Sequence, residues 1–221
     1  SSGNPRIQLE TGTTDQYATY SSGSSSNVLV FNYTVQSGDN SNDLDYKASY
    51  SLSLTSGTIK DNVSNNATLT LPSPSASGSL GANKSIIIDT SAPTVSSTNP
   101  ADNVTWIDVP SSLSVTFSEV MSTSTVTTNT SNTNCSGSFQ VSSDNFSTCV
   151  RMSSGPTESN SNKTFTVTPS DNLSYKTIYK TRITTGAKDL ASNSLISSYN
   201  SVTGFETKLI CEPLLVASFS A

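Results

Sequence analysis

Apolar residues in this chain fall in short runs that alternate with Ser, Thr and Asn, the period-two pattern of strands with one wet face. Ile7 and Leu9 alternate with Gln8 and Glu10 before Thr11-Gly12-Thr13 turns the chain. A short strand is predicted from Tyr17 to Tyr20, ended by the Ser/Gly run at 21–26. Positions 28–35 are apolar on both parities, which predicts a central strand covered on both faces. Ser37-Gly38-Asp39-Asn40 is turn chemistry. Tyr50, Leu52 and Leu54 are expected to point inward together until Gly57 breaks their strand. Leu69 and Leu71 predict another, stopped by Pro72 and Pro74, and 85–89 closes the series. Beyond Asp89-Thr90-Ser91-Ala92-Pro93 a second series opens with Val95 and a turn at 99–103. Its strands are predicted at 113–117 and around 137–141, 148–152, 164–168, 178–184 and 204–207. Short strands with polar turns and almost no helical periodicity argue an antiparallel sandwich.

The two series are related. Lys60-Asp61-Asn62-Val63-Ser64-Asn65 recurs as Lys188-Asp189-Leu190-Ala191-Ser192-Asn193, both K-D-x-x-S-N. Upstream, Leu44, Tyr46, Lys47 and Tyr50 answer to Leu173, Tyr175, Lys176 and Tyr179, and Gly57 to Gly186. A gapped repeat of this length means two copies of one supersecondary unit. The expected organisation is a domain at 1–91, a second at 92–207 and an apolar tail at 208–221. The copies are unequal: 43 residues precede Leu44, whereas about 80 of the second unit precede Leu173. The first unit therefore lacks one or two opening strands. Either it is a smaller variant, or a sheet edge there is open to a strand from another chain. The tail carries Leu209, Ile210, Leu214, Leu215, Val216 and Phe219. It either packs on its own domain, leads into a further one, or donates a strand to a neighbour's first domain, a head-to-tail geometry that builds filaments.

Composition sharpens this picture. Of 221 residues only 33% are hydrophobic and 12% charged, with a net charge of −5 and no run of Lys or Arg. An acidic surface repels phosphate backbones and anionic lipid, so nucleic acid is not an expected partner. No apolar stretch approaches the ~20 residues that cross a bilayer as a helix, so no membrane insertion is expected. The Ser-Ser-Gly start reads as that of a processed or excised segment. Of three cysteines, Cys135 and Cys149 can close a short loop, and Cys211 is left over, free or paired between chains. Three reduced thiols are the alternative; the Ser/Thr/Asn-rich composition favours an extracellular or cell-surface setting and hence the disulfide.

The chain contains no histidine, which removes Ser-His-Asp and Cys-His activation and every His-containing zinc site. No glycine loop precedes a helix, no carboxylate pair stands out as a glycosidase site, and no enzyme is expected. Glu119 is the most informative acid. It shares the parity of Leu113, Val115, Phe117 and Met121, so it points where they point, and a carboxylate there needs a partner. Asp189 and Asn193 of the repeated turn could join it around calcium, which takes hard oxygen ligands. Asp61, Asn65 and Asp89 could form the analogous site near the domain joint. The alternative is that Asp and Asn in such turns hold their own backbone.

Specific stretches also carry a likeness. Pro93-Thr94-Val95, Asn99-Pro100-Ala101-Asp102, Val115-Thr116-Phe117-Ser118-Glu119-Val120-Met121, Phe165-Thr166-Val167-Thr168-Pro169, Gly186 to Asn193 and Phe205-Glu206-Thr207 resemble bacterial Ig-like domains of the S-layer and surface-adhesin type. Leu29 to Val35, Gly38-Asp39-Asn40, Asp43-Leu44-Asp45-Tyr46 and Ile88-Asp89-Thr90-Ser91-Ala92-Pro93 resemble a sister type found in long surface arrays. The resemblance implies export, a seven-stranded sandwich, and service as a surface spacer or adhesin module. Ser64 and Ser192 depart from it, standing where the family's turn has glycine, and the loop between Cys135 and Cys149 is not general to it. The expectation is thus an all-β chain of two tandem Ig-like antiparallel β-sandwich domains, the first without its opening strand or strands. It would serve as a non-enzymatic extracellular module of a bacterial fibre, array or stalk, joined to copies of itself or to neighbouring Ig-like domains. The alternative is an adhesin whose loops bind glycan or protein on a target cell.

Overall fold

The computed structural model describes residues 4–109 and 111–209. The chain divides into two compact units, Ser1–Ser91 and Ala92–Ala221. Among the described residues the regular structure is strand throughout, apart from one helical turn, α1 (Leu80–Asn83).

The first unit contains β1 (Arg6–Leu9), β2 (Gln16–Ser22), β3 (Val30–Asn32), β4 (Asn40–Ser41), β5 (Leu52–Ser53) and β6 (Ile88–Asp89). One sheet runs β3-β2-β1-β5, and β4 pairs with β6. The β1–β2 hairpin sets Ile7 opposite Ala18 and Leu9 opposite Gln16. Its loop is closed by Thr11, whose fully buried hydroxyl donates to the Thr14 carbonyl (3.0 Å) and accepts from the Gln16 N–H (3.0 Å). The core is small: Leu9, Ala18, Leu44, Tyr46 and Ile88 are buried, with Ile7, Phe31, Tyr33, Leu71 and Leu80 half-covered around them. Tyr46 stays inside because its hydroxyl donates to the Pro72 carbonyl at 2.6 Å.

Three expectations are corrected in this unit. Positions 28–35 do not form a central strand: β3 lies at the end of its sheet, with Val28, Val30 and Val35 exposed. Tyr50 is 81% exposed instead of pointing inward. Leu69 and Leu71 form no strand; the Leu71 N–H donates to the Ser49 carbonyl (2.8 Å), which lays this segment alongside the chain leading into β5. The common cause is a shortage of apolar cover. A sheet with few buried residues cannot enclose both faces of an outer strand, whatever that strand's own pattern.

The second unit is a two-sheet sandwich. β7 (Val95–Asn99), β8 (Leu113–Phe117), β10 (Thr157–Ser159) and β11 (Thr164–Val167) make one sheet in the order β10-β11-β8-β7. In the other, β12 (Ile178–Ile183) is flanked by β9 (Phe139–Ser142) on one side and by β13 (Tyr199–Asn200) and β14 (Phe205–Glu206) in succession on the other. Burial alternates strictly along β8 and β11, so Leu113, Val115, Phe117, Phe165 and Val167 face inward. They meet Phe139, Val141, Tyr179, Ile183 and Phe205 of the second sheet in one cluster. Phe117 and Phe165 pack edge to face at 6.0 Å, and Tyr179 stacks on Phe205 at 5.8 Å.

The break between β13 and β14 is held by one carboxylate. Asp102 accepts from the N–H groups of Val202 (2.9 Å), Thr203 (3.1 Å) and Gly204 (2.6 Å). Gly204 sits at φ +90, and a Cβ there would lie 2.4 Å from the Tyr179 carbonyl oxygen, so the turn needs glycine. The predicted strand at 148–152 is not one. Met152 bridges Pro169, and Cys149 is buried and bonded to Cys135, with Cα atoms 4.9 Å apart. At the end of the described chain the Lys208 N–H donates to the Ile107 carbonyl and its ammonium pairs with Asp108. Cys211 and the apolar tail from Ile210 onward lie outside the described residues.

Carboxylates that accept from backbone and hydroxyl donors make acid a selective denaturant. Asp144 takes the Thr148 hydroxyl and N–H and the Ser142 hydroxyl, which together hold its carboxyl down at about 2. Burial opposes ionisation of Asp102, but the donors from Gly204, Val202 and Thr203 outweigh it and hold that carboxyl below its usual range as well. A depressed folded-state value stabilises above the unfolded value of about 3.9 and ceases to do so as pH falls through the folded value. The denaturant midpoint of the second unit is therefore expected to hold at neutral pH and to fall steadily from about pH 4 to about pH 2. In Asp144→Asn, whose side chain no longer titrates, the midpoint should fall less over the same window.

Candidate cation site

The repeated hexapeptide folds the same way twice. In the first unit the Asp61 carboxylate accepts from the N–H groups of Val63 (2.9 Å) and Asn65 (2.8 Å) and from the Asn65 amide (2.8 Å). In the second, Asp189 accepts from the Asn193 N–H (2.8 Å) and the Asn193 amide (2.8 Å). The strand ends are closed by matching bridges, Lys60 to Asn66 and Lys188 to Ser194. Ser64 and Ser192 both adopt left-handed backbone, φ 74 and 73, where glycine is the favoured residue. The turn type is thus kept without the residue that favours it. Left-handed φ costs a residue with a Cβ roughly 1–2 kcal/mol, while glycine loses more entropy on folding. Ser192→Gly is expected to raise stability by about 0.5 kcal/mol, read as a higher urea midpoint with an unchanged slope.

What differs is where the two turns sit. Asp61 is exposed, and its carboxylate is held low chiefly by the Asn65 amide. Asp189 is buried, 3% exposed. It is carried inward because Met121, fully buried, forms an antiparallel bridge with it, while the Ser122 N–H donates to the Lys188 carbonyl (2.9 Å). Thr125 locks the same corner, its hydroxyl accepting from the Lys188 N–H at 3.0 Å. That bridge brings the chain after β8 to the turn, and with it half-buried Glu119.

One carboxylate oxygen of Glu119 and one of Asp189 lie within 4.8 Å of each other. The structure thus brings together two of the six residues singled out in the sequence, and Asn193 is bonded to one of them. In the first unit, Asp61 and Asn65 are bonded to each other, and the Asp89 carboxylate accepts from the Ser91 N–H at 2.9 Å. The meeting of Glu119 and Asp189 depends on the Met121–Asp189 pairing. Oxygens bound to one calcium ion at 2.3–2.6 Å are at most about 5 Å apart, so the spacing of these two fits a shared hard cation.

A family model described as a bacterial Ig-like domain matches residues 89–207, just over half of the chain, and Glu119 and Asp189 lie inside the match. Among solved structures, the N-terminal part of the bacterial S-layer protein SbsC is similar at 22% identity and a TM-score of 0.38, covering 53% of this chain and 24% of that one. A structure of surface layer protein SbsC domains 1-6 is similar at 23% identity and a TM-score of 0.37, covering 53% and 14%. The chain spans about a quarter or less of the length of these structures. No curated protein matches it.

Proposed function

Because this chain belongs to the bacterial Ig-like domain family, we propose that it is a non-enzymatic structural module of the bacterial cell surface, a segment of a fibre, array or stalk. The family match over 89–207 carries this reading, and the build of the second unit supports it. Its interior is filled by packed aromatic and aliphatic side chains, its turns are fastened by carboxylates to backbone N–H groups, and a disulfide joins the segments on either side of β9. These features resist unfolding outside the cell. The chain associates with copies of itself or with neighbouring domains of the same kind. Sedimentation velocity over a wide concentration range tests this: growth beyond the monomer supports it. A chain that stays monomeric and captures immobilised glycans would favour the adhesin reading.

The module also takes a calcium ion on Glu119 and Asp189. Two carboxylates this close repel each other, and a divalent cation offsets that repulsion where Asp189 is already out of water. Binding to the folded state alone raises the melting temperature by mass action. Calcium after chelator treatment is expected to raise it, with magnesium weaker because of its stricter octahedral demand. Glu119→Gln should abolish the calcium-dependent rise. An identical melting temperature with calcium and with chelator would sink the idea.

A further inference from the structure

We propose that the outer edge of β3 in the first unit is an acceptor for an apolar strand from a second copy, contributed by residues 209–221. This rests on the surface-module reading and specifies where its copies join.

Among the described residues, sheet order leaves β3 paired on one side only, with β2. A strand end of this kind presents backbone donors and acceptors ready to pair with another chain, and soluble proteins blunt such edges with charge, proline or cover. Residues 28–35, which read V-L-V-F-N-Y-T-V, carry neither charge nor proline. Val28, Val30 and Val35 are exposed at 61%, 41% and 49%. Behind them Phe31, edge to face with Tyr20 at 6.1 Å, and Tyr33 are only half-covered, so the core of this unit reaches the edge incompletely sealed. Five side chains make up its buried cluster against sixteen in the second unit, among the described residues. An added strand would complete this cluster.

The other outer strands are poorer candidates. On the far side of the sheet, the segment at 69–72 reaches the chain before β5 through the Leu71–Ser49 hydrogen bond and the Tyr46–Pro72 contact. In the second unit, β10 is Thr157-Glu158-Ser159 and wholly polar, and β7 reads V-S-S-T-N. The donor is chosen on composition. Leu209, Ile210, Leu214, Leu215, Val216 and Phe219 lie within thirteen residues, more than enough chain to pair along the eight at 28–35. Leu209 is 45% exposed and follows directly on the last pairing of the second unit, at Lys208. A strand donated from one copy to the next is a heterologous contact and propagates into a filament.

The experiment uses the full chain, a variant ending at Leu209, the variant Val30→Lys/Val35→Lys, and a synthetic peptide of residues 209–221. Both valines are exposed, so the lysines should leave the fold intact, checked by an unchanged far-UV spectrum. The expected result is association of the full chain, none for either variant, and saturable binding of the peptide to the shortened chain but not to the lysine variant. Peptide binding at least tenfold weaker in the lysine variant is the quantitative mark. Association that persists in both variants would overturn the edge assignment while leaving the module reading in place. A peptide that binds neither protein would overturn it too, and a full chain monomeric at every concentration would count against self-assembly as a whole.

Discussion

Truncating Phe165 to alanine is expected to cost the second unit about 3–5 kcal/mol, as a fully buried aromatic does when it leaves a cavity. Phe165 is 1% exposed, lies opposite Val115 in the register of β8 and β11, and packs against the ring of Phe117. The loss combines lost burial, a lost ring pair and a void between two sheets whose backbone hydrogen bonds prevent collapse. A domain of this size has roughly 5–15 kcal/mol in all, so the variant should sit near the limit of folding. With a urea slope of about 1–3 kcal/mol per molar, the midpoint should fall by about 2 M. Trp106, the one tryptophan of the chain, belongs to this unit, so its fluorescence alongside far-UV ellipticity follows the unit directly. A shift below 0.5 M, well short of that estimate, would show that the two sheets are not held together through this contact.

Reduction of the Cys135–Cys149 bond is the second large effect. The bond closes a loop with a sequence separation of 14. Releasing that constraint on the unfolded chain should cost about 3 kcal/mol, on the order of 10–20 °C in melting temperature for a domain this size. The loop also contains β9, which pairs with β12 and buries Phe139 and Val141, and its Asp144 accepts from Thr148 and Ser142, so the crosslink acts chiefly by restricting the unfolded chain. Scanning calorimetry of oxidised and reduced protein, with Cys135→Ala/Cys149→Ala as a control, separates the crosslink from thiol chemistry. Equal melting temperatures for the oxidised protein and the alanine variant would mean that the insertion is held by its own contacts.

Much of this was legible in the chain itself, and the reason is periodicity. Strict alternation along 113–117 and 164–167 becomes strict alternation of burial, because a strand with one covered face has no other way to place Leu113, Val115, Phe117, Phe165 and Val167. The hexapeptide repeat was equally readable, since Asp61 and Asp189 fasten their turns through neighbours at most four residues away. Where the pattern misled, it did so at the borders of the small core. The run at 28–35 carries enough apolar residues for a central strand, and Tyr50 has the right parity to point inward. Neither finds cover, because burial depends on what other elements bring to that face.

The amino-acid order by itself determined that the regular structure is nearly all β, that the chain repeats, and where its turns are fastened, all of which follow from contacts within a few residues. Only the tertiary structure decided that Asp189 is buried while Asp61 stays in water, and that β3 is left at the end of its sheet. These outcomes depend on pairings between segments far apart in the chain, such as Met121 with Asp189. No local pattern carries the free energy of surface that a distant segment removes from water.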